Sequence, residues 1–173
     1  VVDQDHQVIV ATDLNNCAAD SQTMVPTEQI RANTGREPQE LLADAGYCSE
    51  ANLEAAAAIT SQGGAKFLIA TGRLEHDERV QAAPKGRIPK DFTFKQRMAR
   101  KLRTEPGQAA YARRKAIVEP VFGQIQTLQG KHVLLRGLDN AREEWNLLAT
   151  CHNLRKLHGH LGVAGLGRLQ PAT

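Results

Sequence analysis

The residues Glu40-Leu41-Leu42-Ala43-Asp44-Ala45-Gly46-Tyr47-Cys48-Ser49 spell out, in order, a short apolar strand, a turn and a helix cap. Leu41 to Ala43 is a brief apolar run stopped by Asp44 and Gly46, which predicts a buried strand with the Asp44 carboxylate at the rim of its sheet. Ser49 is placed to cap a helix from Glu50 to about Thr60, where the alanines at 55–58 favour helical backbone. Gly63 and Gly64 stop that helix, and Lys66 to Thr71, Lys-Phe-Leu-Ile-Ala-Thr, supplies the next strand. Strand, helix and strand at this spacing predict an α/β fold with parallel pairing.

Working upstream, Gln7 to Thr12 is a β-branched run, and Asp3, Gln4 and Asp5 before it form a turn that predicts pairing with something ahead of Val1. Asp20 or Ser21 would cap a helix extending to about Ala32. Downstream, residues 71–91 carry Gly72, Pro84, Gly86 and Pro89 and predict an exposed loop or small insertion. From Phe92 the pattern turns helical. Lys95, Arg97, Arg100, Lys101, Arg103, Arg113, Arg114 and Lys115 are answered there only by Glu105, which predicts a phosphate-binding face.

Within that helical region, Val118, Phe122 and Ile125 are spaced four and then three residues apart, the stripe of a helix lying on a core. Glu119 would then sit at the edge of a buried face, paired with Arg114 or Lys115, solvated, or bound to a metal, because a bare buried carboxylate is too costly. Pro120 predicts a kink or a fresh helix start at Glu119. A last amphipathic helix is expected from about Asn140 to Leu157 with Trp145, Leu148, Leu154 and Leu157 facing inward, followed by a flexible tail over 159–173.

The 173 residues, 41% of them hydrophobic, suffice for one core. Three widely spaced cysteines argue against a disulfide framework and for a reducing compartment. With no membrane-length apolar run and no secretory signal, a cytoplasmic protein is expected. Cys151, His152, His158 and His160 match no closed zinc pattern. Gly-rich phosphate cradles and a Gly-x-Ser-x-Gly elbow are missing, which points away from nucleotide hydrolysis and acyl transfer. What remains is an acid ending a strand, Asp44, an acid on a later helix, Glu119, and many cations. Two such acids meeting at a sheet rim can hold Mg2+ or Mn2+ through hard oxygen ligands.

These stretches, together with Arg113-Arg114-Lys115-Ala116-Ile117-Val118-Glu119-Pro120-Val121-Phe122-Gly123-Gln124-Ile125 and the closing His152-Asn153-Leu154, resemble the C-terminal part of bacterial insertion-sequence transposases with a DDE catalytic core. The resemblance implies an RNase H-like mixed sheet flanked by helices, here lacking its first strand, over residues 1–158. It implies that Asp44 and Glu119 are catalytic, metal-binding acids using Mg2+ or Mn2+. It also implies cutting and joining of double-stranded DNA at transposon ends, with a homodimer in a synaptic complex. Arg100, Lys101, Arg103, Tyr111, Arg113, Arg114 and Lys115 become the expected DNA contacts.

The chain departs from the family pattern in three ways. The first catalytic Asp belongs to a strand earlier than Gln7 to Thr12, and Asp13 matches the non-catalytic segment that follows. Tyr111 and Arg114 keep their mutual spacing but lie one residue farther from Glu119 than usual. Gln126 stands where a Lys is customary. With two of three acids, the chain is expected to be inactive alone. The alternatives are a non-catalytic DNA-binding relic or regulator of transposition, and a separate nuclease that recruits Asp3, Asp5 or Asp13 as third acid.

Overall fold

Glu40–Ala43 and Lys66–Ile69 form parallel strands β1 and β2, with Glu40 opposite Lys66 and Ala43 opposite Ile69. The computed structural model describes residues 1–16, 27–72, 83–130 and 132–168. Among the described residues five α-helices accompany two strands: α1 (Thr27–Thr34), α2 (Glu50–Ser61), α3 (Phe94–Leu102), α4 (Glu105–Leu128) and α5 (Leu138–Leu166). The expected α/β class holds, with a sheet of two parallel strands among the described residues. The described residues fall into two compact units, one of residues 1–16, 28–36, 115–130 and 132–168, the other of residues 27, 37–72 and 83–114.

The second unit is built around β2. Phe67, Leu68 and Ile69 are all buried, as expected for a parallel strand covered on both faces. Leu53 and Ala56 of α2 are buried in the same unit, and the Ser49 hydroxyl accepts the Asn52 N–H to cap that helix. Helix α3 begins with a reciprocal cap between Thr93 and Gln96. Its end meets the start of α4 so closely that a Cβ on Gly107 would lie 2.2 Å from the Lys101 carbonyl oxygen. Only glycine fits there. Residues 83–93 contain no helix or strand, and 73–82 of the expected loop or insertion lie outside the described residues.

In the first unit the turn at 3–7 folds Val8–Val10 back onto Val1–Val2. Asp3 N–H donates to Val8 O (2.8 Å), Val10 N–H donates to Val1 O (3.0 Å), and Val2 bridges Ile9 antiparallel. The expected strand at 7–12 is thus an isolated bridge, and its partner is the opening pair of valines. Helix α5 holds this segment. The Asn153 amide accepts the Ile9 N–H (2.7 Å) and donates to Ile9 O (2.8 Å), taking the place of a neighbouring strand. The fully buried His152 places Nε2 2.9 Å from Gln7 O, so Nε2 carries the proton, and Lys156 Nζ donates to Gln7 Oε1. Gln7 itself is left-handed, with φ 58°. These bonds offset the cost of that backbone.

Three expectations are corrected. Helix α4 runs without interruption through Pro120, because the Ala116 carbonyl, which loses its helical donor to the proline ring, accepts the Gln7 side-chain amide instead (3.4 Å). Around Glu119 the buried residues of α4 are Val121 and Ile125, while Phe122 is 46% exposed and stacks on Trp145 with ring centroids 6.1 Å apart. Helix α5 extends past Leu157 to Leu166, with a break at Gly162 (φ 63°), and Leu154 faces outward while Ala149 and His152 are buried. The expected cap at Asp20 or Ser21 lies outside the described residues. Among the described residues no helix is long and apolar enough to cross a membrane.

Candidate functional site

Strand β1 delivers Asp44 to its C-terminal end, where the chain leaves the sheet in extended geometry (φ −81°, ψ −178°) and turns into a short 3-10 helix, Ala45–Tyr47. Asp44 caps that turn, its Oδ1 accepting the Gly46 N–H at 3.0 Å. The other oxygen, Oδ2, lies 3.9 Å from a guanidinium nitrogen of Arg114 on α4. The carboxylate remains half exposed, so the pair contributes about 0–1 kcal/mol and serves mainly to set direction. Arg114 also covers the Tyr111 ring, its guanidinium carbon 5.7 Å from the ring centroid. Burial pushes the Tyr111 phenol above its usual range, the Arg114 charge opposes that shift, and the Asp44 charge adds to it. Asp44, Tyr111 and Arg114 therefore form one cluster within the second unit.

Glu119 lies on α4 in the part of that helix belonging to the first unit. It is exposed and pairs with neither Arg114 nor Lys115 among the described residues, because Arg114 is turned to Asp44. The expectation that Glu119 edges a buried face fails with Phe122, whose outward position puts that side of the helix in solvent.

The basic segment divides in two. On α3, Arg97 donates to the carbonyls of Phe92 (Nε, 3.0 Å) and Lys90 (3.0 Å), and Arg100 donates to Gly86 O. Lys101 Nζ reaches into the sheet and donates to Phe67 O (2.9 Å), and burial holds its pKa below the usual lysine value. Arg103 is half-buried, its Nε without a partner among the described residues. On α4, by contrast, Arg113 and Lys115 are exposed and carry no ion pair among the described residues. Sequence reading placed all of these cations on one phosphate-binding face. Their carbonyl acceptors were invisible to it, since every residue type offers a carbonyl.

Asp44 and Glu119 match a hard divalent cation in kind, being carboxylate oxygens. In number they fall short, since no group of three or more His, Cys, Asp or Glu side chains placed to share an ion occurs among the described residues. The cavity of about 180 Å³ beside the stacked Phe122 and Trp145 rings is lined by no acid. Residues 78–158 match the family model described as transposase DDE domain. The matched segment, a little under half of the chain, contains Glu119 and every expected DNA-contact residue but stops short of Asp44. No curated protein and no solved structure matches the chain.

Proposed function

We propose that this chain is the C-terminal part of the RNase H-like catalytic core of a DDE transposase from a bacterial insertion sequence, with Asp44 and Glu119 as two of its metal-binding acids. The observation that supports the reading is the Asp44–Arg114 pair within the second unit, beside the match of residues 78–158, which hold both Arg114 and Glu119, to the family model. Mg2+ or Mn2+ held by such acids would activate a water or a 3′-hydroxyl and neutralise the leaving oxygen of a phosphodiester. The chain's own contribution is to aim Asp44 through the Gly46 N–H and Arg114, and to present Arg113 and Lys115 to the phosphates of double-stranded DNA at transposon ends. Two carboxylates offer few ligands for two ions, so these residues alone are expected to cut DNA poorly or not at all. A second reading, a DNA-binding relic or regulator without chemistry, draws on Arg113 and Lys115, exposed and without an ion pair among the described residues, and needs neither acid.

Nicking of supercoiled plasmid with Mg2+ or Mn2+ separates the two. The expected result is that the 173 residues bind but do not nick, that a longer version supplying a further acid upstream does nick, and that Asp44→Ala or Glu119→Ala abolishes this. If those variants of the extended protein nick like their parent, the two acids have been misassigned.

A further inference from the structure

The turn at 3–7 is pinned to α5 along one face of that helix. Asn153 holds the Ile9 backbone, His152 meets Gln7 O, and Lys156 Nζ donates to Gln7 Oε1 at 2.9 Å. His160 follows Lys156 by four residues, which puts it one turn farther along the same face. There it meets His6, the residue before Gln7, with the two imidazole rings perpendicular and their centroids 4.7 Å apart. All of these residues belong to the first unit. Both histidines are exposed, so their contact is no part of the core.

His6 has a second neighbour. Its backbone N–H donates to Asp3 Oδ2 at 2.8 Å, and the same oxygen lies 3.5 Å from its ring nitrogen Nδ1. A carboxylate beside Nδ1 favours the tautomer with its proton there and leaves the Nε2 lone pair to bind. That is the arrangement of a metal-ligating histidine, whose other ring nitrogen faces a carboxylate. The ring separation fits as well. With a Zn–N bond of about 2 Å and about 1 Å from a ring nitrogen to the ring centre, two imidazoles on one tetrahedral ion have centroids about 5 Å apart.

We propose that His6 and His160 form a two-histidine clamp for a divalent transition-metal ion of the Zn2+ class, with Asp3 as the positioning residue behind His6 and water completing the coordination. Imidazole suits Zn2+, whereas Mg2+ takes oxygen ligands, so this clamp and the acids Asp44 and Glu119 select different ions. Two protein ligands make the clamp weaker than a closed site of four. The Lys156 ammonium, one turn away and tied to Gln7, opposes the cation and weakens it further. Bound metal fastens the 3–7 turn to α5 just ahead of its break at Gly162.

Thermal melting of the 173 residues, stripped of metal and then titrated with Zn2+ to about 1 mM, tests the clamp. The melting temperature is expected to climb with Zn2+ concentration, as for any ligand that binds only the folded state. His6→Ala and His160→Ala each remove the rise, while Cys48→Ser with Cys151→Ser keeps it. Any change with Mg2+ is the same in the parent and in the histidine variants, which separates this site from the acids. Asp3→Asn, whose amide oxygen still accepts the His6 N–H, raises the Zn2+ concentration needed by about tenfold or more. Equilibrium dialysis against Zn2+ below the melting temperature reads the same losses directly if a variant is less stable than its parent. A parent that does not respond to Zn2+, or a response that survives in either histidine variant, overturns the proposal. An unchanged Zn2+ requirement in Asp3→Asn overturns the role given to Asp3.

Discussion

The cations of α3 and those of α4 are near neighbours in sequence and alike in type, yet they do different work. Arg97, Arg100 and Lys101 donate to the carbonyls of Lys90, Phe92, Gly86 and Phe67, so their charge ties the 86–92 loop and strand β2 to the helix. Arg113 and Lys115 donate to nothing among the described residues and stand in solvent. Between them, Arg114 aims the Asp44 carboxylate. A run of like charge is therefore not one surface, and what separates its members is whether a backbone acceptor lies within reach.

The frame that separates the two groups is the tight joint at Gly107, and breaking it has the largest expected effect. Gly107→Ala pushes a methyl group into the Lys101 carbonyl and should cost about 2–4 kcal/mol, read from denaturant unfolding. A neutral result would mean that the α3–α4 joint is loose. Next, Arg97→Ala with Arg100→Ala frees the 86–92 loop and should cost about 1–2 kcal/mol, since the lost bonds are charge-assisted but exposed. The same pair of changes should leave DNA affinity nearly intact. Increased protease cleavage in 86–92 would localise the loss.

Lys101→Met should change stability by less than about 1 kcal/mol at neutral pH, because the lost bond to Phe67 O is offset by relief from burying a charge. Its signature lies in the pH dependence. The folded pKa of Lys101 is lowered by burial, with Lys66 lowering it further and Glu40 opposing, so the unfolded chain holds the proton more tightly. Stability of the parent should therefore rise with pH between the folded value and 10.5, and Lys101→Met should lack that rise. The smallest effect concerns Tyr111, followed by phenolate absorbance in a Tyr47→Phe background. Its raised folded pKa gives stability present below pH 10 and lost as pH rises through the folded value. Arg114→Met, which removes the charge while still covering the ring, should raise that pKa further, and Asp44→Asn should lower it.

The α/β class was legible where short-range chemistry decides the outcome. Leu41–Ala43 closed by Asp44, Ser49 at a helix start, and Gly63-Gly64 before a β-branched run each carry their own local instruction, and β1, α2 and β2 follow them. The misreadings share a different cause. Pro120 fits within α4 because Gln7, more than a hundred residues away, replaces the missing donor at Ala116 O. Phe122 and Leu154 fall on apolar spacings that the core does not use, one stacked on Trp145 and the other facing solvent. At the site, Asp44 was legible as the end of a strand, and its tie to Arg114 was not, because a pairing of that span leaves no local pattern. His152 and Asn153 were read as part of a short motif, and His152 also as a rejected zinc ligand, although they hold the Gln7 and Ile9 backbone in place.

The division of the cations is tested most directly by the salt dependence of affinity for a short DNA duplex. Each phosphate contact contributes about 0.9 to the slope of log affinity against log salt. Arg113→Ala with Lys115→Ala should reduce the slope by about 2 and weaken binding, while Arg100→Ala with Lys101→Met should leave the slope as it is. If the α3 pair lowers the slope and the α4 pair does not, the DNA face lies on α3, and the assignment of Arg113 and Lys115 to phosphate binding is wrong.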